Sequence, residues 1–506
     1  MSIFRDQDAP PTYWLTRFMM LRLLGLVYGV GFLVAINQIV PLIGENGLLP
    51  LGTYLKEVSL TYGSPGAGFV HLPTVFWFGH SDSALLTVAW IGFVLSLVVV
   101  AGYANAPVLG VLWFLYMSIV HAGQDWYGYG WEIQLTETGF LAIFLCPLLD
   151  LRPFPKRPPP FVVIVLFRWL IFRIMLGAGL IKYRGDVVWR NGTALYYYFE
   201  TQPIPGPFTR WFRFLPRVAL QIGVWFNWLA ELAAPWFVFW PKAGRHIAGI
   251  VIVLFQVVLI VSGNLSFLNW LTIIPALACF DDSFWAKLLP GRLVRKAALA
   301  AENAEESKPM LTTSWVVAGL IALLSIQPVL NMLSPGQIMN TSFDPLDLVN
   351  TYGAFGSVGQ ERYNIVFEGT TGDTTGGKAN WKPYVYKYLP TLPDKRPPQI
   401  APYQPHLDWQ MWFAAMGTPD QYPWTFNLVY KLLHNDPGAI SLFAGNPFPA
   451  RPPRFMRAVL YKYKFAKPGN QQGLYWTRQK MGDWIPALSA EDPRLLTFLK
   501  NEGWVR

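Results

Sequence analysis

The sequence predicts a polytopic α-helical membrane protein of about eight or nine spans, followed by a β-rich soluble domain of α+β or β-sandwich type. Three observations predict it. Apolar stretches of span length recur through the first two-thirds of the chain. Charge is scarce, at 14% of residues against 53% hydrophobic, where soluble domains carry roughly a quarter charged residues. After about residue 335 the texture changes to Pro- and Gly-punctuated segments with alternating apolar positions.

The first apolar stretch, 19–43, holds one charge, Arg22. It is long enough for a bilayer core of roughly 30 Å. A single such stretch fits a buried helix of a soluble protein, but its recurrence argues against that. It lacks a small-residue cleavage motif, so a retained span is expected rather than a removed signal peptide. Further spans are expected near 83–102, 105–121, 133–149, 161–184, 219–240, 245–264, 266–281 and 312–333. The third, fourth and eighth are short, and tilt or a re-entrant path would change the count.

Basic residues orient the bundle. Arg5 and Arg17, the loop 150–160 with Arg152, Lys156 and Arg157, the loop 241–246, and the stretch 282–311 with Arg292, Arg295 and Lys296 belong on one side. The positive-inside rule makes that side cytoplasmic. The N-terminus is then inside. The loop 185–218 and everything after about 334 lie outside, in the periplasm or the endoplasmic reticulum lumen. The net charge of +10 is read as topology and contact with anionic membrane lipid, not as nucleic-acid binding. The boundaries are a membrane domain over 1–334, with a cytoplasmic linker near 285–311, and an extracytoplasmic domain over 335–506. Strands are expected at 363–370, 384–390 and 457–466, and helices at 407–416 and 423–435.

Charges inside spans are costly unless paired. Arg173 and Glu231 each lie about twelve residues from a span end, near the bilayer centre by the helical rise, so an Arg173–Glu231 pair is expected. Arg168 and Glu137 are further candidates. At the outer end of the fifth span Gly177, Ala178 and Gly179 permit close helix approach. Lys182, Tyr183, Arg184, Asp186 and Arg190 follow. This is either a snorkelling helix end or a polar site. In an apolar setting a lysine can lose its proton and serve as a base. His121, Asp125 and Glu132 share that face. A lone His121 is more often structural than a ligand. Cys146 and Cys279 form no CxxC or zinc pattern, and no metal site is expected. No phosphate-binding loop, HExxH or GxSxG pattern stands in a supporting context.

Several segments resemble the lipase maturation factors: QLTETGFLAIF (134–144), GAGLIKYRGD with WRNGTALYYYFETQPIP (177–205), NTYGAFGSVGQERYNIVFEGT (350–370), PYQPHLDWQMWFAAMG (402–417), NLVYKLL (427–433), NPFPARPPRFMRAVLYKYKF (446–465) and YWTRQKMGDWIP (475–486). The resemblance implies a multipass protein that helps secreted lipases fold and assemble into active dimers, with a lumenal C-terminal region that handles the client. In animals that membrane is the endoplasmic reticulum. The compact loops and two cysteines look bacterial, which implies an inner-membrane protein facing the periplasm. The end of the fifth span is also loosely similar to the vitamin K-dependent γ-carboxylases. That similarity would make Lys182 the matching base.

Two functional readings follow. In the first, a chaperone-like protein binds its client, a secreted protein with a lipase as candidate, through Tyr352, Arg362, Glu368, Asp408, Trp409, Gln410 and Trp412. It needs no cofactor. The bland alternative makes Trp409 and Trp412 core, at i, i+3 on one helix face, and Asp408 a helix cap. In the second, a membrane enzyme acts on a quinone-like or lipid substrate with Lys182 as base, supported by Arg184, Asp186, Glu132 and His121. Transport is a weaker third class, since no inverted repeat is evident.

Overall fold

The computed structural model describes residues 11–373 and 379–505. Arg5 and part of the turn near 371–380 lie outside them. Six helical segments among the described residues are long and apolar enough to cross a membrane: Trp14–Ile43, Asp82–Ala101, Phe161–Gly185, Arg217–Phe239, Lys242–Ser262 and Lys308–Leu333. Two shorter apolar helices, Ala106–Ala122 and Leu268–Cys279, accompany them.

In chain order the elements are α1 (Trp14–Ile43), the short α2 (Leu51–Tyr62) and α3 (Pro65–His71), α4 (Asp82–Ala101), α5 (Ala106–Ala122), α6 (Gly130–Ile143) and α7 (Phe161–Gly185). The loop after α7 holds α8 (Val187–Arg190), α9 (Ala194–Thr201) and α10 (Thr209–Arg213). Then come α11 (Arg217–Trp228), α12 (Lys242–Ser262), α13 (Leu268–Ala276), α14 (Asp282–Trp285), α15 (Gly291–Glu302), α16 (Lys308–Leu324) and α17 (Ile326–Leu333).

The outer surface of the bundle is apolar. Trp90, Ile91, Val94 and Leu97 on α4, and Trp315, Val316 and Leu323 on α16, are exposed. An aqueous surface rarely leaves apolar patches of that extent uncovered, whereas lipid covers them.

The expected fourth span is shorter than a full-length helix: α6 has 14 residues, about 21 Å by the helical rise, and the turns after it carry the chain on to Leu145, whose carbonyl accepts from Arg17. Glu132, Gln134, Thr136, Glu137 and Thr138 on it are all buried. It is an interior helix enclosed by α1, α5, α7 and α13, and its polar residues meet protein rather than lipid.

α1 ties the two ends of the molecule together. Its first amides, Trp14 N and Leu15 N, donate to the Asp282 carboxylate at 2.9 and 2.7 Å, a cap supplied from 267 residues away. Buried Arg17 donates to Arg157 O at 2.9 Å. Lys156 and Arg157 pair with Glu305, so Arg17, the loop 150–160 and the end of α15 share one end. At the other end Gln38 donates to Gln404 O at 2.8 Å, and Asn427 donates to Leu48 O at 2.9 Å.

The C-terminal domain is α+β, not a sandwich. Its four-stranded antiparallel sheet has the order β2-β1-β3-β4, from β1 (Arg362–Thr370), β2 (Lys382–Pro383), β3 (Phe455–Phe465) and β4 (Trp476–Leu488). Helices α18 (His406–Ala414) and α19 (Trp424–Leu433) pack against it, and α20 (Pro437–Ser441) and α21 (Pro493–Asn501) complete it. The strand expected over 384–390 is not formed: β2 lies just before it, and within it Tyr386 makes only an isolated bridge to Phe443. The amides of Tyr388 and Leu389 donate instead to the Asp408 carboxylate at 2.8 and 2.7 Å, which removes them from any ladder. The boundary at 334/335 is also less clean than expected. The segment between α17 and β1 lies in the surface of the membrane domain: a Cβ on Gly177 would come within 2.6 Å of Tyr352 O, and one on Gly185 within 2.4 Å of Gly356 O.

His406 sits fully buried at the start of α18, 4.5 Å from the Tyr127 ring. Burial pushes its pKa down from 6.5 to about 3. Below pH 6.5 the unfolded histidine takes a proton that the folded one refuses, so stability is lost as pH falls. Between pH 6.5 and 5 this amounts to roughly 2 kcal/mol. Asp408, raised to about 6 by burial, works in the opposite sense over part of that window, as its buried charge is neutralised. The stability difference between His406→Phe and the parent is therefore expected to grow in the variant's favour from pH 6.5 to 5. Denaturation at stepped pH checks this; a difference independent of pH would contradict it.

Candidate functional site

Two buried polar clusters lie on α7. In the first, Arg173 is 2% exposed and pairs with Glu137 of α6, also donating to Asn350 O at 2.8 Å. The other Glu137 oxygen accepts from Asn350 N at 3.0 Å and Tyr352 OH at 2.7 Å. The expected Arg173–Glu231 pair is thus corrected: depth alone cannot choose between two carboxylates, and the interior position of α6 brings Glu137 to the guanidinium. Arg168 donates to Ala278 O at 2.9 Å and Tyr13 OH at 2.7 Å.

In the second cluster Lys182 and Glu231 find each other. Lys182 Nζ lies 2.5 Å from Glu231 Oε1 and 3.2 Å from Asn227 Oδ1, and Asn227 Nδ2 donates to Glu231 Oε2 at 3.1 Å. The Trp189 ring lies 5.1 Å from Nζ. Asn227 and Glu231 share a face by their i, i+4 spacing. The helix that carries them is broken there: α11 passes into a π-helical turn at Leu229–Ala233 and a 3-10 segment at Ala234–Phe239 with Pro235 at its start. π-bulges are rare and concentrate at functional sites.

This cluster lines a cavity of about 390 Å³ between α7, α9, α11, α12, α13, the 352–359 segment and α18. Most of the wall is apolar or aromatic, including Phe226, Phe255, Leu259, Trp409 and Trp412. Neutral amides add a second polar spot: Asn269 Nδ2 donates to Gln256 Oε1 at 2.8 Å, and Gln134 Nε2 to Thr272 Oγ1 at 3.1 Å. A concave apolar site with few convergent polar groups is the usual form of a ligand pocket.

The other residues proposed beside Lys182 are elsewhere. Asp186 caps α8 through Val188 N at 3.1 Å and accepts from Val358 N at 3.2 Å. Glu132 accepts from Tyr116 OH at 2.5 Å. His121 bridges Pro73 O at 2.8 Å and Asp347 at 3.2 Å, while Arg184 donates to Met332 O at 2.8 Å. Cys146 and Cys279 are buried.

The client-binding set is corrected as an exposed surface. Tyr352, Arg362, Glu368, Asp408, Trp409 and Gln410 are buried, and Trp412 is half-buried. Arg362 donates to Gln202 O at 2.5 Å and Pro203 O at 2.9 Å. Glu368 accepts from Arg457 at 2.7 Å and Tyr461 at 2.8 Å. Gln410 donates to Asp125 O, Trp412 Nε1 to Thr201 O at 2.9 Å, and Trp409 packs on Trp131 at 4.9 Å. Tyr352, Arg362, Trp409, Gln410 and Trp412 join the two domains, an interface that uses the same aromatic and charged types as a surface for a partner, whereas Glu368 and Asp408 bond within the C-terminal domain. Sequence reasoning missed Asn227, Gln256, Asn269, Gln134 and Thr272. The i, i+4 pairing of Asn227 with Glu231 inside an apolar run was the signal for the first.

A family model described as the lipase maturation factor transmembrane domain matches residues 15–287, and one described as the lipase maturation factor C-terminal domain matches residues 348–486. The chain is 45% identical to lipase maturation factor 1 of Bos taurus over 507 residues, covering 96% of this chain and 90% of the relative. It is 42% identical to lipase maturation factor 1 of Homo sapiens, covering 97% and 91%. Identity to lipase maturation factor 2 of Mus musculus is 28%, covering 94% and 83%. No solved structure gives a significant match.

Proposed function

The chain belongs to the lipase maturation factor family, an integral membrane protein with a role in protein maturation, and from that premise we propose that it assists folding or assembly of secreted proteins, lipases among them, on the extracytoplasmic side. The observation that carries the sidedness is α1. One of its ends meets Asp282 and Arg157, among the Lys/Arg-rich loops. The other end meets Gln404 and Asn427 of the C-terminal domain. The positive-inside rule puts the first end in the cytoplasm, and the C-terminal domain then stands on the opposite face. In a bacterium that face is the periplasmic side of the inner membrane; in a eukaryote it is the endoplasmic reticulum lumen. Client contact falls to the exposed surface of the domain, including the edge strand β4, whose outer side meets no further strand among the described residues and is open to an extended segment. This reading requires no cofactor. Deleting the chain in its host is expected to lower secreted active lipase several-fold while lipase synthesis is unchanged. Unchanged secretion, together with no secreted hydrolase captured from native membranes, would overturn the reading.

A second reading, a membrane enzyme acting on a quinone-like or lipid substrate, is favoured by one observation: Lys182 lines the apolar cavity. Lys182 is engaged with Glu231 and Asn227, so a base would first have to leave that pair. We expect Lys182→Arg, which keeps the charge but cannot supply a neutral amine, to retain most client maturation and Lys182→Ala to lose it. Equal loss in two folded variants would favour the enzyme.

A further inference from the structure

We propose that the cavity beside Lys182 is a binding site for an uncharged single-chain acyl ester, with the ester carbonyl at Lys182 and the chain along the apolar wall. The inference rests on the cavity alone and stands apart from the client reading. The volume of about 390 Å³ is at the lower end of the range for small-molecule pockets, about 300–1,000 Å³. That is room for one chain rather than the two of a phospholipid. The wall between α7, α11 and α12 is apolar, and Val258 and Met416 on its rim are exposed, leaving a way in.

The polar end selects the head group. Lys182 and Glu231 neutralise each other at 2.5 Å. An anionic head would have to draw Lys182 from Glu231, and a cationic head the reverse. Either leaves a buried charge without its partner. A neutral carbonyl needs neither exchange. An ammonium has three donors; two go to Glu231 and Asn227, and the third is available for an acceptor. The amides of Gln256, Asn269 and Gln134 are likewise uncharged. The π-helical break at Leu229–Ala233 is an independent mark of a site, because it sets Glu231 and Asn227 against Lys182 at a cost in regular helix.

The test uses the full chain in phosphatidylcholine nanodiscs and a monopalmitoylglycerol bearing a photoactivatable diazirine on its chain. Crosslinks are expected on α7, α11 and α12. Unlabelled monopalmitoylglycerol should compete roughly tenfold better than its ether analogue hexadecylglycerol, which lacks the carbonyl, the worth of one hydrogen bond to a charged group. Ala178→Trp, which fills the cavity, should abolish the crosslinks. Lys182→Met with Glu231→Met removes the pair together and should keep crosslinking while losing the ester preference. Crosslinks spread over the lipid-facing surfaces of α4 and α16, equal competition by ester and ether in the parent, or an unchanged preference in the double variant would each overturn the proposal.

Discussion

Glu137→Leu is expected to destabilise the folded protein by about 3–5 kcal/mol, the usual result of leaving one member of a buried ion pair without its partner. Glu137 is fully buried. It serves Arg173 with one oxygen and Asn350 N and Tyr352 OH with the other. The substitution therefore strands a guanidinium inside the bundle and frees the segment that leads to the C-terminal domain. The double change Glu137→Leu with Arg173→Met should recover most of the loss, because two apolar side chains of similar volume leave no unpaired charge. Thermal unfolding of the three variants in one detergent checks this. A double variant no better than the single would show that the pair is not the source of the effect.

Arg362→Leu is the second large effect, with an expected cost of roughly 2–4 kcal/mol for two charge-assisted hydrogen bonds lost to buried acceptors. Burial lowers the Arg362 pKa to about 10, so the guanidinium is still charged at neutral pH. It reaches from the first residue of β1 to Gln202 O and Pro203 O, with its carbon 5.6 Å from the Trp476 ring. The variant should loosen the docking of the C-terminal domain while leaving the helices in place. Faster limited proteolysis between residues 335 and 361, with unchanged helical circular dichroism, is the expected result. Arg362→Lys should recover part of it, since a single ammonium cannot span both carbonyls as the planar fork does.

The parts of the molecule that follow from local pattern were legible in the sequence. Apolar runs located the membrane helices, alternation located β1 and β3, and helical spacing located α18 and α19 within a residue or two. β4 was not legible: Arg478, Lys480, Asp483 and Pro486 break the apolar alternation of an edge strand whose outer side is exposed. α6 read as a full-length span because its composition is apolar enough. Its shortness and its two carboxylates belong to a helix that meets only protein. Arg173, Lys182, Glu137 and Glu231 were singled out as charges inside the bundle, where they are buried, but their pairing was not. Lys182 and Arg173 lie nine positions apart on one helix, and nothing local says that one takes Glu231 and the other Glu137. That choice is made by the packing of α6 and by Asn350 and Tyr352, more than two hundred positions beyond Glu137 in the chain. The same holds for Trp409, Gln410 and Arg362. A buried junction between domains and a client surface draw on the same residue types, and only the fold separates them.

The proposed function requires the C-terminal domain to stand on the face opposite the basic loops. Met481 on β4 is exposed, as is Arg292 on α15, while both native cysteines are buried. Met481→Cys and Arg292→Cys can therefore be probed in intact cells or spheroplasts with a membrane-impermeant maleimide. Met481→Cys is expected to label from the extracytoplasmic side, and Arg292→Cys only after permeabilisation. Labelling of both from the same side would contradict it.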